Sequence, residues 1–423
     1  MLITPRIKHI ASTSNTHVHF FGFHDISPWD QSNQRLLVHI VDHQQPLRVP
    51  NGQDYIQVGL WDPNIQSIDT IGETNAWNWQ QGARLQWLPT SKNTAIFNIT
   101  VNGYLKASLV DFDTSITNIL DFPCYVMHPK EKLYLSINFG RLHQFWPAYG
   151  APGKLTGSED INVPDDDGLF LVDLNSNTVR WKIGISDLVQ LGHQVFKDNL
   201  PHFVSHPTFS PGGTRICFLH RFFTTDGSLY SRLVVCDLEG KNKKIIAEEK
   251  VSHFDWLNED EIIVWTRFLP ESVASARRTG LMSLKPLRPL INFARKMAPE
   301  VKQKLWKEAY YKINVVNGKR EIIGDKTLEQ DGHPMISRDG KWILTDTYAD
   351  PLSRIRKLIL YNILTGERID LAGLDSPIQF GDLDMKCDLH PRWDRENRLV
   401  CVDSTHTGLR QMHIFDISGI LDE

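Results

Sequence analysis

One pattern returns seven times along the chain, and that recurrence limits the fold more than any other property of the sequence. Its clearest copy is HPTFSPGGTRICFLHR (206–221), in which an apolar run ends in a Pro-Gly-Gly turn and a second, alternating run follows, the signature of a β-hairpin. Degenerate copies are SPWDQSNQRLLVH (27–39), LQWLPTSKNTAIFN (85–98), MHPKEKLYLSIN (127–138), FDWLNEDEIIVWTR (254–267), HPMISRDGKWILTDTY (333–348) and HPRWDRENRLVCVDS (390–404). A third apolar run closed by Asp or Asn follows each copy, and a fourth short run such as TVRWKIG (178–184) usually comes next. Seven units of four antiparallel strands predict an all-β chain, a seven-bladed β-propeller that forms a single domain over residues 1–423. The last unit has no room for a fourth strand. PRIKHIAS (5–12) resembles the fourth strands, so it is expected to pair beside residues 412–418 and close the ring, which removes two free sheet edges. A two-sheet sandwich does not explain a regular four-strand period.

Bulk properties exclude several classes of function. A net charge of −4 leaves no electrostatic footprint for nucleic acid. Cys124, Cys217, Cys236, Cys387 and Cys401 are odd in number and lack CxxC spacing, which fits reduced thiols in the cytoplasm better than a disulfide framework. No apolar leader core opens the chain and no run of about 18 apolar residues occurs, so neither secretion nor a membrane span is expected. Two stretches depart from the repeat. Residues 271–310 read as a helical insertion whose basic part, 277–307, suits either an amphipathic lid or peripheral contact with an anionic inner-membrane surface; Pro286, Pro289 and Pro299 exclude one long helix and favour the lid. The loop 144–167, rich in aromatic, Gly and Pro residues, is expected to shape a cleft above blade three.

In a propeller the inner strand of each blade lines the axis, and the loops entering it gather on one face. The polar residues at those positions form a histidine-rich ring, the default binding site. It includes His24, Asp25 and His39 in blade one, Asn78, Gln80, Gln81 and Asn98 in blade two, Asn138 and Arg141 in blade three, and His206, His220 and Arg221 in blade four. Blades five to seven add His253, Asp331, His333, Asp346, Tyr348, Cys387, Asp388, His390, Arg392, Asp403 and His406. Neutral imidazoles and a thiolate make His333, Cys387, His390 and His406 candidate ligands for zinc or another late divalent ion; the same histidines could simply hydrogen-bond neighbouring blades. The run Asp165-Asp166-Asp167-Gly168 lacks the downstream glutamate of a calcium loop and reads as a solvated turn. There is no GxSxG elbow and no glycine-rich phosphate loop. Arg221, Arg392 and Arg410, with His206, His220 and Tyr348, form a set suited to an anionic sugar, because arginine binds a carboxylate in bidentate fashion and imidazole or phenol can move a proton. Each arginine could equally be an inter-blade salt bridge.

The motifs NWQQG (78–82), HPTFSPGGTRICFLHR, SHFDW (252–256), DGH (331–333), LTDTY (344–348), CDLHPRW (387–393) and DSTHTGLRQM (403–412) resemble a group of bacterial propeller proteins. That group is similar in turn to the seven-bladed polysaccharide lyases, the ulvan and oligogalacturonate lyases. The resemblance implies that a His or Tyr and an Arg from central blades act on a uronic acid, and that a nearby histidine-rich cluster holds zinc or manganese. His206 and Arg221 match the central pair, and His333, Cys387, His390 and His406 match the metal cluster in type. One departure stands out: those lyases place catalytic histidines in an earlier blade, where this chain has Gln80, Gln81 and Asn98.

The expected function is β-elimination on a uronate-containing polysaccharide or oligosaccharide. Arg221 would neutralise the carboxylate, His206 or His220 would abstract the C5 proton, and Tyr348 would protonate the leaving oxygen. Asn78, Gln81, Asn138, Arg141, Arg392 and Arg410 would bind the glycan, and the metal set would hold a divalent ion. The alternative is a non-catalytic carbohydrate-binding or scaffold propeller in polysaccharide synthesis at the inner membrane.

Overall fold

A computed structural model of the protein describes all residues except 1, 5, 15, 193–199, 225–226, 270–306, 378–384 and 422–423. Its strands form seven antiparallel sheets, the blades of a seven-bladed β-propeller. Blade one comprises Val18–Phe20, Leu36–Val41, Ile56–Asp62 and Ser67–Thr74, and the same inner-to-outer order of four sequential strands recurs in blades two to six. In blade seven only three strands follow one another, Arg392–Trp393, Leu399–Ser404 and Gln411–Asp416. The fourth is N-terminal: Lys8–Ser12 pairs with His413–Asp416, so opposite ends of the chain share one sheet. The two-residue strand Leu2–Ile3 adds a fifth member to blade six through Ala372 and Gly373, a pairing the repeat pattern did not signal.

Burial explains the sequence pattern. The second strands are covered on both faces by neighbouring blades, so LLVHIV (36–41) and LYLSI (133–137) are buried throughout and read as continuous rather than alternating apolar runs. The outer strands face solvent on one side; Thr178–Gly184 alternates between exposed and half-buried positions until its last two residues. A register shift between the third and fourth strands recurs in blades one, three, four, six and seven, the extra twist that bulges supply when sheets are packed radially. Indole groups cross the seams between blades: Trp87 Nε1 donates to the Pro28 carbonyl at 2.7 Å and Trp393 Nε1 to the Met335 carbonyl at 3.1 Å. Gly82 is required where blade two meets blade one, since its φ is +59° and a Cβ there would lie 2.1 Å from Cε1 of His39.

Among the described residues the helices are short, at Phe139–Phe145, Ile185–Gln190 and Ser418–Leu421, and none is long and apolar enough to cross a membrane. The helical insertion expected over 271–310 and its basic part 277–307 fall almost wholly on 270–306, outside the described residues. Ala309 and Tyr310 already belong to the third strand of blade five.

Candidate functional site

The inner strands are interrupted where the site forms. Blade one has its inner strand in two pieces, Val18–Phe20 and a single bridge at Trp29, instead of one run from Ser27. The intervening loop carries Phe23 and His24 into the axis. In blades four and five the pairing of the first two strands slips by one residue, between Ser205 and Thr208 and between Val251 and Phe254, and the displaced residues include His206 and His253. In blades six and seven His333 and His390 stand two residues before Met335–Ile336 and Arg392–Trp393. Backbone strain accompanies this placement: φ is +54° at His206, +42° at His390 and +53° at Arg84, the matching residue of blade two.

Five imidazoles from five blades therefore surround Phe23. Its ring centroid lies 4.4 Å from His24, 4.9 Å from His390, 5.1 Å from His206, 6.0 Å from His333 and 6.2 Å from His253. His333 stacks edge-on to His390 at 4.3 Å and lies 4.2 Å from His253. Sequence reasoning placed His24, His253, Asp331, Asp346 and Asp388 in the polar ring but gave them no role, and it missed Phe23. The DGH motif explains part of the geometry. Asp331 accepts from Nδ1 of His253 at 3.1 Å, Gly332 lets the chain pass where a Cβ would lie 2.0 Å from the Asp346 carbonyl, and His333 projects to the axis. LTDTY supplies the next layer. One oxygen of Asp346 accepts from the His333 backbone N–H at 2.9 Å and from its Nδ1 at 2.7 Å, and the other accepts from the His390 N–H at 3.1 Å.

Among the described residues, His333, Asp388 and His390 form the one set of three potential ligands whose donor atoms all lie within 4.8 Å of one another. All three are buried. Nε2 of His333 and both ring nitrogens of His390 are buried without a hydrogen-bond partner, and Asp346 fixes the His333 proton on Nδ1, leaving Nε2 as the donor. These are properties that a cation site would need. Cys387, expected among the ligands, is not in this set; the carboxylate beside it is, and burial raises the thiol to about 11. His406, also expected among the ligands, is likewise not in this set. Its ring is tilted against His413 at 4.3 Å and bonds Ser404 Oγ at 2.8 Å beside the N-terminal strand, outside the axial set.

The electrostatics favour the neutral form of His24, His206, His253 and His390. Burial pushes His24, His206 and His390 well below the ordinary histidine value, and neighbouring positive or titratable groups push the same way. Burial also lowers His253, opposed by Asp331. For Asp388 burial acts upward but is outweighed by Lys386 and Arg356, which hold it well below the usual carboxylate range. Arg221 is 4% exposed, lowered to about 10 by burial, and lies 4.5 Å over the Trp146 ring. It donates through Nε to Ser231 Oγ and through one terminal nitrogen to the Val251 carbonyl, while the other terminal nitrogen is buried without a partner. His206 lies 5.1 Å from Tyr149, so the long loop above blade three lends Trp146 and Tyr149 to the wall. Tyr348 remains 39% exposed at the mouth, 5.7 Å from His333; burial of its hydroxyl and the nearby Asp331 and Asp388 raise it well above the ordinary tyrosine value.

Several predicted residues serve the scaffold instead. His220 lies one step along its strand from Arg221 and so faces the other way, bonding His202 at 3.0 Å. Asn138 caps the helix Phe139–Phe145, and Arg141 is buried against Asp167 at 2.8 Å. That pair corrects the reading of Asp165–Asp167 as a wholly solvated turn. Asn78 closes the NWQQG turn by accepting from the N–H groups of Gln80 and Gln81; Gln81 donates to the Tyr125 hydroxyl, and Asn98 is bonded to Cys124. Arg392 and Arg410 share Asp403, whose oxygens also accept from the N–H groups of Phe21 and Gly22.

No protein-family model matches the sequence, and no curated protein does. Among solved structures, the chain is similar to an oligogalacturonate lyase in complex with manganese, at 13% identity and a TM-score of 0.61, over 98% of this chain and 96% of that one. An oligogalacturonate lyase from Vibrio parahaemolyticus matches at 12% identity and a TM-score of 0.58, over 98% and 97%. A chain of a mitotic checkpoint complex follows at 8% identity and a TM-score of 0.50, over 98% and 92%. At such identities the likeness concerns the fold, and the third match shows that the fold alone names no activity.

Proposed function

We propose that this propeller binds a uronate-containing oligosaccharide at its axial mouth and cleaves it by β-elimination, with a divalent cation held by His333, Asp388 and His390. The observation that carries the reading is the convergence of an orphaned imidazole pair, a buried carboxylate, an Asp-His dyad and a half-free guanidinium on one axis. The manganese in the similar lyase structure supports a cation of that class, and the mixed nitrogen and oxygen donor set suits manganese or zinc. Bound there, the cation would act as a Lewis acid towards the substrate carboxylate.

The protein groups divide the remaining work. Arg221, with one terminal nitrogen unpartnered, pairs with the uronate carboxylate and favours loss of the C5 proton. His253 is the base best placed to take it, since Asp331 orients its ring and burial keeps it neutral. His206, one of the two bases expected from sequence, lies in the same cavity as His253, and burial lowers it likewise. As the C4–O bond breaks, a double bond forms between C4 and C5, and Tyr348 at the mouth returns a proton to the departing oxygen. The products are an unsaturated uronate and a shortened chain. A second reading is binding without reaction, favoured by Phe23 filling the centre of the histidine ring.

Incubation with uronate oligosaccharides and Mn2+ tests both. Ultraviolet absorbance of the conjugated product should grow, and the Arg221→Ala and His253→Gln variants should abolish it. Silence over a broad panel rejects elimination, and calorimetric binding without product leaves the binding module.

A further inference from the structure

Asp388 faces a cation at each oxygen, but only Oδ1 is hydrogen-bonded. Arg356 takes Oδ1 through a terminal nitrogen, and its Nε is tied to Ser376 Oγ at 3.1 Å; its side chain is 5% exposed. Lys386 faces Oδ2 as an ion pair, with Nζ at 2.9 Å but no hydrogen bond of good geometry, and its circumstances differ. Its side chain is 20% exposed, and its ammonium lies 4.2 Å from the centroid of Tyr348, the aromatic at the mouth. The backbone is pinned, because Gln80 of the NWQQG turn reaches across from blade two to donate to the Lys386 carbonyl at 2.8 Å. A fixed backbone with a flexible four-carbon stem lets the charge move while the loop stays in place.

On the reading that His333, Asp388 and His390 hold a divalent cation, we infer that Lys386 competes with that cation for Asp388 and is displaced by it into the mouth of the site. An ammonium and a divalent ion on the same carboxylate repel, and the partner that yields is the one with a flexible stem and a route to solvent. Arg356 is enclosed and doubly tied. The face of Tyr348 is a resting place for the displaced ammonium, since a cation over a phenol ring keeps part of its stabilisation after leaving the carboxylate. There it adds positive charge where an anionic ligand enters. Without metal the lysine's charge at the mouth is paired with Asp388; with metal it is unpaired and turned outward. Lys386 is thus a positioning residue that couples the cation to the anion, and the coupling is reciprocal.

Calorimetric titration of Mn2+ into the wild type, Lys386→Met and Lys386→Arg tests this. Removal of the competing charge should tighten Mn2+ binding about tenfold in Lys386→Met, within the usual range of coupling between sites. Lys386→Arg, which keeps a cation on Asp388, should bind no more tightly than wild type. In Lys386→Met, trigalacturonate affinity should also lose the increase that Mn2+ gives the wild type. Equal Mn2+ affinities for wild type and Lys386→Met, at unchanged melting temperature, overturn the competition and leave the metal site standing. Absence of Mn2+ binding in all three proteins overturns both.

Discussion

Asp346→Asn tests how the site is held without touching a proposed ligand. The carboxylate accepts three hydrogen bonds, two on Oδ1 from His333 and one on Oδ2 from the His390 N–H. An amide has one accepting oxygen. If that oxygen stays on His333, the NH2 group confronts the His390 N–H, donor against donor. If it turns to His390, the NH2 faces Nδ1 of His333, which must then accept; the ring proton moves to Nε2 and the lone pair aimed at the cation is lost. Either way Mn2+ affinity should fall about 10- to 100-fold, which is roughly 1.4–2.7 kcal/mol. A buried N–H left without its acceptor costs about 1–3 kcal/mol of stability. With roughly 2.1 cal/mol/K of unfolding entropy per residue, the 423-residue chain should melt about 1–3 °C lower. Calorimetric titration with Mn2+ and a circular-dichroism melt measure the two effects separately. A lowered melting temperature with unchanged Mn2+ affinity would show that Asp346 supports only the fold, and the assignment of Nε2 of His333 as a ligand would fail.

The pH profile reports on the base: burial holds His253 below about 6.5, its ordinary value, so elimination should be level through neutral pH and decline as pH falls through the lowered value. Asp331→Asn removes the charge that raises His253, so it should reduce kcat and move the acid limb to lower pH; an unmoved limb would assign it to another group. Arg221→Lys keeps the charge but loses the fork, so KM for a uronate oligosaccharide should rise about tenfold or more, and an unchanged KM would place Arg221 outside the carboxylate site. Asp403→Ala strands the buried Arg392 and Arg410 and unties Phe21 and Gly22, at a cost of about 3–5 kcal/mol. A thermal scan should show a melting temperature about 3–6 °C lower, and a shift under 1 °C would mean that water replaces the carboxylate.

The blades were legible because repetition multiplies a weak signal. TVRWKIG alone is an ambiguous seven-residue run, yet the recurrence of such runs after the third strands of the first six units placed it correctly at Thr178–Gly184. The ring of polar residues was legible for the same reason. Direction was not: Arg221 and His220 are neighbours in sequence, and only the pairing of their strand decides which faces the axis. Composition also misled at Cys387 and Asp388, adjacent in one loop, where chemical softness pointed to the thiol and the fold turned the carboxylate to the imidazoles. Pairs such as Arg141 with Asp167 or Arg392 with Asp403 join residues whose contact depends on the closed scaffold, and the sequence carries no mark separating such arginines from one left half free like Arg221.

The chemistry gathers where inner-strand pairing is broken, and there is a physical reason. A paired residue on an inner strand spends its backbone on the ladder, and its side chain must alternate between two packed seams. A residue displaced by a slip, or held before the first pair, escapes both constraints and can aim along the axis. His206 and His390 do so with φ in the left-handed region, a strain of order 1–3 kcal/mol each. Each precedes a proline, which further narrows the conformations open to it. Blade packing over-determines these positions, and the strain persists because relief would require the inner strand to shift against both neighbours. Arg84 has the same backbone conformation but is spent on Asp25 in a bidentate pair at 2.9 and 3.0 Å. In blades two, four and seven the strained entrance is therefore shared by the backbone, and the residue type placed there decides whether it contributes an inward ion pair or a neutral imidazole to the axis.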